Sequence, residues 1–521
     1  MEPYAQNNWY WQHDWGDGLK PVMLIGGSGA DNPFQWAGAN FERALIDKLD
    51  LLDWEPGKNV LDCHLDLLQS VGGNWIRNAL FSRFSYNQTG AFYPIEYEQA
   101  WEFEKDADGT YDLNRFSRAY FDRLRRFLDA TKQRRIFVGL EMADYQYWAQ
   151  DPFNPHNNCN YTWADCTGLR ELYAKHARPG YDQPGGRHQG YRACPYWAVP
   201  PLFDDPVVRP YIEARYRKIL DLTLQYDHVL YHLKNESCCP VEISDWWCDF
   251  IHDYARSKGK RVFVTENRWL HGKRTYSYGR DDQFMDMKHI EVRHAIEDPD
   301  RYDFIDQSNI SGEIGQKFYD CVSWLRARTA EHKVRPINFL KNYWGHWFTC
   351  NEDYGNKDPR NKDEEWKTQE SAARMWRALC AGVAGIRFHR NAHVYGCSGG
   401  VGLSPAGQTH IRSLRMFSDA LDLFRMEPHN ELIAEASRVE DEAYCLAEPG
   451  KQYAVYFKGE AGDNSVALDL GAVPESASIS AQWLDITNCE WLPPEQIPAA
   501  KSCTLTVPGQ GLHWAVVLSA D

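Results

Sequence analysis

Acids, amides and cations stand where the apolar runs of this chain stop. Val229-Leu-Tyr-His-Leu-Lys leads into Asn235-Glu236, and Lys260-Arg-Val-Phe-Val-Thr leads into Glu266-Asn267. Arg135-Ile-Phe-Val-Gly-Leu ends in Glu141, with Asp144 three residues on. Gly73-Asn-Trp-Ile ends in Arg77, Pro336-Ile-Asn-Phe-Leu ends in Lys341, and Gly385-Ile-Arg387-Phe is followed by His389-Arg390. Two carboxyl groups in unlike environments, one protonated to donate and one ionised, are what cleavage of a glycosidic bond requires. No Cys/His spacing fits a zinc site, and no nucleophile elbow marks Ser-His-Asp hydrolysis. No metal or cofactor is therefore expected. Arg77, at the end of a buried strand, needs a partner: a catalytic carboxylate or a structural counter-ion.

The elements that would position these residues alternate. Strands read at Pro21–Ile25, Gly73–Arg77, Arg135–Glu141, Val229–Glu236, Lys260–Asn267, Tyr302–Asn309, Pro336–Asn342 and Gly385–Arg390. Helices read at Phe41–Leu52, Val60–Ser70, Leu113–Thr131, Val207–Tyr226, Ser244–Ser257, Glu370–Val383 and Ala406–Leu423. In the third of these, Phe116, Tyr120, Leu124, Phe127 and Leu128 recur on one face. Strand–helix alternation of about eight units predicts a closed (β/α)8 TIM barrel, which exposes strand-end residues at its carboxyl-terminal mouth. Gly26-Gly-Ser-Gly lacks the Gly-Lys-Ser/Thr of a phosphate loop and fits a close backbone approach instead. The long stretch 151–201, rich in Pro, Asn, Gly and aromatics, reads as the wall of a cleft. From about Asn430 the pattern becomes short alternating strands with turn residues between, the mark of a small antiparallel β-sandwich. The expected domains are a barrel over 1–428 and an accessory sandwich over 429–521.

Composition narrows the partners. A formal charge of −16 argues against nucleic acid or an anionic membrane surface as partners. No run of apolar residues is long enough to span a membrane, and no signal peptide is visible at the start. The 14 Cys form no regular framework and Cys238-Cys239 are adjacent, which points to reduced thiols and a cytoplasmic setting; a secreted or periplasmic protein with its signal removed is the alternative. Asn87-Gln-Thr and Asn160-Tyr-Thr fit the glycosylation pattern, which presupposes secretion. With 21 Trp and 29 Tyr the chain has aromatic surface to stack on sugars, Trp344 after the seventh strand among it. Oligomeric state is not legible.

Gly72-Gly-Asn-Trp-Ile-Arg77, Asn235-Glu236 after the fourth strand and the sandwich tail resemble the clan A (β/α)8 glycoside hydrolases. Asn154-Pro-His-Asn-Asn-Cys-Asn-Tyr-Thr162, Val229–Glu236, Ile386-Arg-Phe-His-Arg390, Ile411-Arg-Ser-Leu-Arg415 and Tyr453-Ala-Val-Tyr-Phe457 look more closely like a group of such hydrolases with a C-terminal collagen-binding-like sandwich, whose activity is mostly a predicted one. The resemblance implies Glu236 as general acid/base, Asn235 as a ligand of the neighbouring sugar hydroxyl, and a plant, algal or microbial glycan as substrate. It also expects a nucleophilic Glu at the end of the seventh strand, where this chain has Lys341-Asn342. A lysine cannot serve as that carboxylate. Three readings follow: Glu266 is the second carboxylate; Glu141 or Asp144 holds a water for an inverting reaction; or catalysis is lost and the cleft only binds carbohydrate. Arg77, Lys341, Arg387, His389 and Arg390 would either receive an anionic sugar or neutralise the acids.

Overall fold

The computed structural model describes residues 1–28, 32–38, 40, 56–80, 100–143, 198–200, 204–234, 241–267, 290–306, 314–342, 363–388, 403–434, 442–459, 464–498 and 500–520. Eight parallel strands form one sheet: β1 Leu24–Gly27, β2 Trp75–Ala79, β3 Phe137–Glu141, β4 Val229–His232, β5 Val264–Thr265, β6 Ile305–Asp306, β7 Ile337–Asn342 and β8 Gly385–Phe388. Their order is β5-β4-β3-β2-β1-β8-β7-β6, and a parallel bridge from Asn267 to Asp306 joins the two ends into a barrel. A helix follows each strand: α1 Val60–Ser70, α2 Arg118–Gln133, α3 Val208–Thr223, α4 Val241–Ser257, α5 Ile290–Glu297, α6 Gly315–His332, α7 Glu364–Cys380 and α8 Pro405–Asp419. This is the (β/α)8 architecture the alternation predicts. The strands are near-continuous apolar runs because helices cover them outside and side chains fill them inside. Gly26 shows why the first strand ends in glycines. A Cβ there would lie 1.7 Å from the Trp75 carbonyl oxygen of β2.

Three local readings change. The segment Leu19–Val22 pairs with Trp11–Asp14, which pairs with Glu2–Pro3, as an antiparallel ribbon; the barrel strand begins only at Leu24. Trp11 of this ribbon is fully buried, edge-on to Phe263 and Phe304 just before β5 and β6, and its Nε1–H donates to Asn338 Oδ1 at 3.1 Å. The ribbon thus closes the floor of the barrel, leaving chemistry to the opposite rim. Second, the helix expected from Leu113 starts at Arg118. Tyr111–Phe116 instead pairs antiparallel with Phe103–Lys105 across a turn at Asp106–Gly109. Tyr111 and Leu113 are buried two apart, a strand's period that overlaps the helical spacing of Leu113 and Phe116. Third, α7 begins at Glu364 rather than Glu370, capped by Asp363, which accepts from the amides of Glu365 and Trp366. The helix expected at 41–52, most of the stretch 151–201 and both glycosylation patterns lie outside the described residues. No described helix is long and apolar enough to cross a membrane.

Antiparallel sheets follow the barrel. Strands β9 Glu442–Glu448, β10 Gln452–Lys458, β12 Ile479–Asp485 and β14 His513–Ala520 run side by side in the order β9-β10-β14-β12, with Glu427–Pro428 at the edge beside β9. β11 Ser465–Asp469 pairs with β13 Ser502–Thr506 as a second layer. Alternation splits the larger sheet. Cys445, Val455, Phe457, Trp483, Val516 and Leu518 meet Val466, Leu468 and Leu505 in a core of their own. Tyr444, Leu446, Ala454, Tyr456, Ala515 and Val517 join the core of the barrel.

Helix α7 is the seam. From Glu370 to Cys380 it is buried on every side, and the Trp376 ring stacks on Tyr456 at 5.3 Å. Arg377 binds the carboxylate of Glu370 and donates to Glu442 of β9 at 2.7 and 2.9 Å, while Lys458 of β10 reaches Glu370 at 3.1 Å. Burial pushes the Glu370 carboxyl up, but Arg377 and Lys458 outweigh it and hold it at about 2. Beside this network, Trp376 Nε1–H donates to His410 Nδ1 at 3.1 Å, Tyr456 OH lies 2.8 Å from His513 Nδ1, and His513 Nε2 lies 2.8 Å from Gln369 Oε1. Because indole can only donate, His410 must keep Nδ1 unprotonated.

Burial holds the His410 imidazole down at about 4, against about 6.5 in an unfolded chain. Between those values the unfolded chain binds a proton that the folded one does not, so folding stability falls as pH drops from about 6.5 to about 4. For this one group the loss amounts to about 3 kcal/mol. His410→Asn, which keeps an acceptor for Trp376 but cannot titrate, should lose less urea stability than wild type between pH 7 and pH 4.5. Equal losses would refute the assignment.

Candidate active site

Strand pairing decides which residues enter the barrel. Gly139 faces inward, since a Cβ on it would meet His232 Nε2 and Leu340 Cδ1 at 3.4 and 3.0 Å. Arg77 pairs with Gly139, and Glu141 pairs with His232, so all four share the inward side. Thr265 is level with His232, and Asn267 with Asp306. Glu266 lies between two inward positions and takes the opposite, helix-facing side. Its charge acts there, raising the Tyr302 hydroxyl and, further down the order of causes, the Cys248 thiol; burial is the larger cause for both. The structure thus separates Glu266 from the inward acids, with which the sequence grouped it.

Arg77 and Glu141 form a buried two-pronged ion pair, Nε to Oε1 at 2.8 Å and Nη2 to Oε2 at 2.6 Å, at 1% and 0% exposure. Geometry of this kind is directional as well as strong, and it fixes the carboxylate plane at the rim. Each oxygen still has a lone pair beyond the one given to Arg77. Next to it, His232 Nδ1 is 3.4 Å from Asp306 Oδ2. Burial, then the charges of Arg77 and Lys341, push this imidazole down to about 3. A neutral His232 results at neutral pH.

A bulge shapes the seventh strand. Phe339 pairs with Ile386 and Asn342 with Phe388, so Leu340 and Lys341 together oppose Arg387. Such an extra residue re-aims side chains near the rim of a barrel. Arg387 holds the bulge by donating from Nη1 to the Leu340 carbonyl at 2.8 Å and from Nη2 to the Ser28 carbonyl. Asn342 Nδ2 adds bonds to the carbonyls of Phe339 and Arg387 at 3.2 and 3.3 Å. Lys341, nearly buried, extends its field to His232.

Of the residues singled out in the sequence, Arg77, Glu141, Lys341 and Arg387 converge on the mouth. Asp144, Asn235, Glu236, Trp344, His389 and Arg390 lie outside the described residues. Sequence reasoning passed over His232, Lys234 and Asp306. Lys234 continues β4's inward alternation from His232, since Leu233 N still bonds the Thr265 carbonyl, and it is 1% exposed. A signal existed: His, Lys and Asp inside otherwise apolar strand runs.

No protein-family model matches the chain, and no curated protein does. Solved structures do match in fold. A glycoside hydrolase family 5 structure from Bacteroides vulgatus ATCC 8482 aligns with a TM-score of 0.57 at 12% identity, over 99% of this chain and 92% of that one. Another, described as a glycoside hydrolase, aligns with a TM-score of 0.53 at 11% identity, over 100% of this chain and 98% of that one. The chain therefore has a glycosidase-like fold, a (β/α)8 barrel with a C-terminal β-sandwich.

Breaking one side of the rim ion pair leaves a buried charge. Glu141→Ala should cost about 3–5 kcal/mol of unfolding free energy, whereas Glu141→Leu combined with Arg77→Met should cost less than the sum of the single changes. Urea denaturation measures both, and a single-variant loss under about 1 kcal/mol would show that the pair is not the rim's anchor.

Proposed function

We propose that this chain is a glycoside hydrolase that cleaves a plant, algal or microbial glycan at the carboxyl-terminal mouth of the barrel. The observation that carries the reading is the Arg77–Glu141 pair, an inward carboxylate fixed at the rim on the strand adjoining β4. β4 leads in sequence to Asn235-Glu236, the dipeptide that the clan A resemblance makes the acid/base and its hydroxyl-binding neighbour. In this reaction Glu236 gives its proton to the glycosidic oxygen as the bond to the anomeric carbon breaks. Glu141, oriented by Arg77, accepts a proton from the water that attacks the opposite face. The product is then inverted at that carbon. Glu266, on the helix-facing side, supports the structure, and Asp144 stands as the alternative water-holding acid. Trp344 and His389 complete the sugar contacts. Within this scheme the barrel, 1–428, does the chemistry, and the sandwich, 429–521, is an accessory that braces α7.

One observation favours a second reading. The seventh strand ends in Lys341-Asn342, without an acid, so a barrel that binds carbohydrate without cleaving it has the same geometry.

Release of reducing ends from a broad glycan panel separates the two. Glu236→Gln should lower turnover by about a thousandfold, within the usual contribution of general acid catalysis. Glu141→Gln, checked for folding by circular dichroism, should also abolish it, while Glu266→Gln should retain it. Proton NMR of the first-formed anomer should show inversion; retention would remove Glu141 from the role of base. Sugar binding without release from any glycan would establish the binding protein instead.

A further inference from the structure

We propose that the seam between barrel and sandwich is an acid-operated latch. In it the facing imidazoles of His410 on α8 and His513 on β14 take up two protons together and free the sandwich from α7. The latch is independent of the chemistry at the mouth. To the titration of His410 alone it adds a second proton and a local opening.

The first support is where the protons must lie in the closed seam. The Gln369 amide donates to Glu365 Oε1, which turns its oxygen to His513 Nε2. An amide oxygen only accepts, so His513 Nε2 carries the hydrogen. In the neutral ring Nδ1 then accepts from the Tyr456 hydroxyl. His410 Nδ1 is likewise taken by the Trp376 indole. In both rings a donor sits on the nitrogen that a second proton would need. The indole N–H has no lone pair to offer instead, so a proton on His410 breaks its bond. The tyrosine hydroxyl can reverse, but His410, Lys458 and Arg377 all act, after burial, against a charge on His513.

The second support is coupling. His410 and His513 stand edge to face with centroids 5.0 Å apart, so a charge on one opposes a charge on the other while the seam is closed. Their two holders also touch, since Trp376 stacks on Tyr456. The other charged and titratable groups gathered here include Glu370, Arg374 and Arg377 of α7, Glu442 and Tyr444 of β9 and Lys458 of β10. Arg377 and Lys458 keep Glu370 ionised to far lower pH, which leaves the imidazoles to respond first. The sandwich also has a core of its own, Val455, Phe457, Val466, Leu468 and Leu505 among it, and parting from α7 leaves that core closed. Burial holds His410 at about 4 and is the largest cause keeping His513 well below the usual imidazole range. Freed, both return toward about 6.5. The closed seam thus has its full advantage above about pH 6.5 and loses it as pH falls.

Cys380 can report the opening, because its thiol lies against the Tyr456 backbone of β10. Cys248 lies in the barrel core and Cys445 in the sandwich core. The test labels the full chain with a disulfide reagent that reacts with thiols in acid, and peptide mass spectrometry locates the label. Dividing each rate by that of a free cysteine peptide at the same pH gives an opening constant. In wild type Cys380 should become reactive ahead of Cys248 and Cys445. Two protons make its opening constant rise by up to about a hundredfold per pH unit between about pH 6 and 5, and one proton by about tenfold. His410→Asn and His513→Gln should each reduce the rise to about tenfold, and the double variant should abolish it. A wild-type rise of tenfold or less, a rise that the variants leave unchanged, or three cysteines that open together would overturn the proposal. Should a variant not fold, the wild-type rise and the order of labelling decide.

Discussion

The structure hangs on charge buried around α7. That helix joins β7 to β8, the strands that bring Lys341 and Arg387 to the rim, and from Glu370 onward it has no face left to water. Its arginine and glutamate are tolerable there only because the sandwich supplies Glu442 and Lys458 to complete the network. Removing any one member strands the others, which is far costlier than never having the set. The sandwich is therefore no loose appendage. It braces the back of the site, and its outward tyrosines belong to the same core as the barrel's tryptophans.

The barrel interior shows a related economy. Trp11 from the ribbon plugs the floor and donates to the Asn338 side-chain oxygen, and Trp75 fills the middle layer beside Gly139 and Gly385, where no Cβ competes for the space. Besides Asn338, the interior polar side chains include Arg77, Glu141, His232 and Asp306. These side chains are buried, so each charge acts on its neighbours more strongly than it would in water.

Much of this was legible beforehand, and the failures have physical causes. Strands such as Phe137–Glu141 and Val229–His232 declare themselves because burial on both faces makes them apolar throughout. The Arg77 partner was foreseeable, because a buried guanidinium demands one. The ribbon was not, since strands of two to four residues leave no period to read. Leu113 and Phe116 fit the helical spacing of α2 and were claimed for it, though a hairpin holds them. Glu266 looked equivalent to Glu141 because a strand end says nothing about side; only the register with β4 and the bridge to β6 assign it outward. The bulge at Lys341 is invisible for the same reason, because it exists only relative to Arg387 across the sheet. Pairing, unlike periodicity, is not written in one segment.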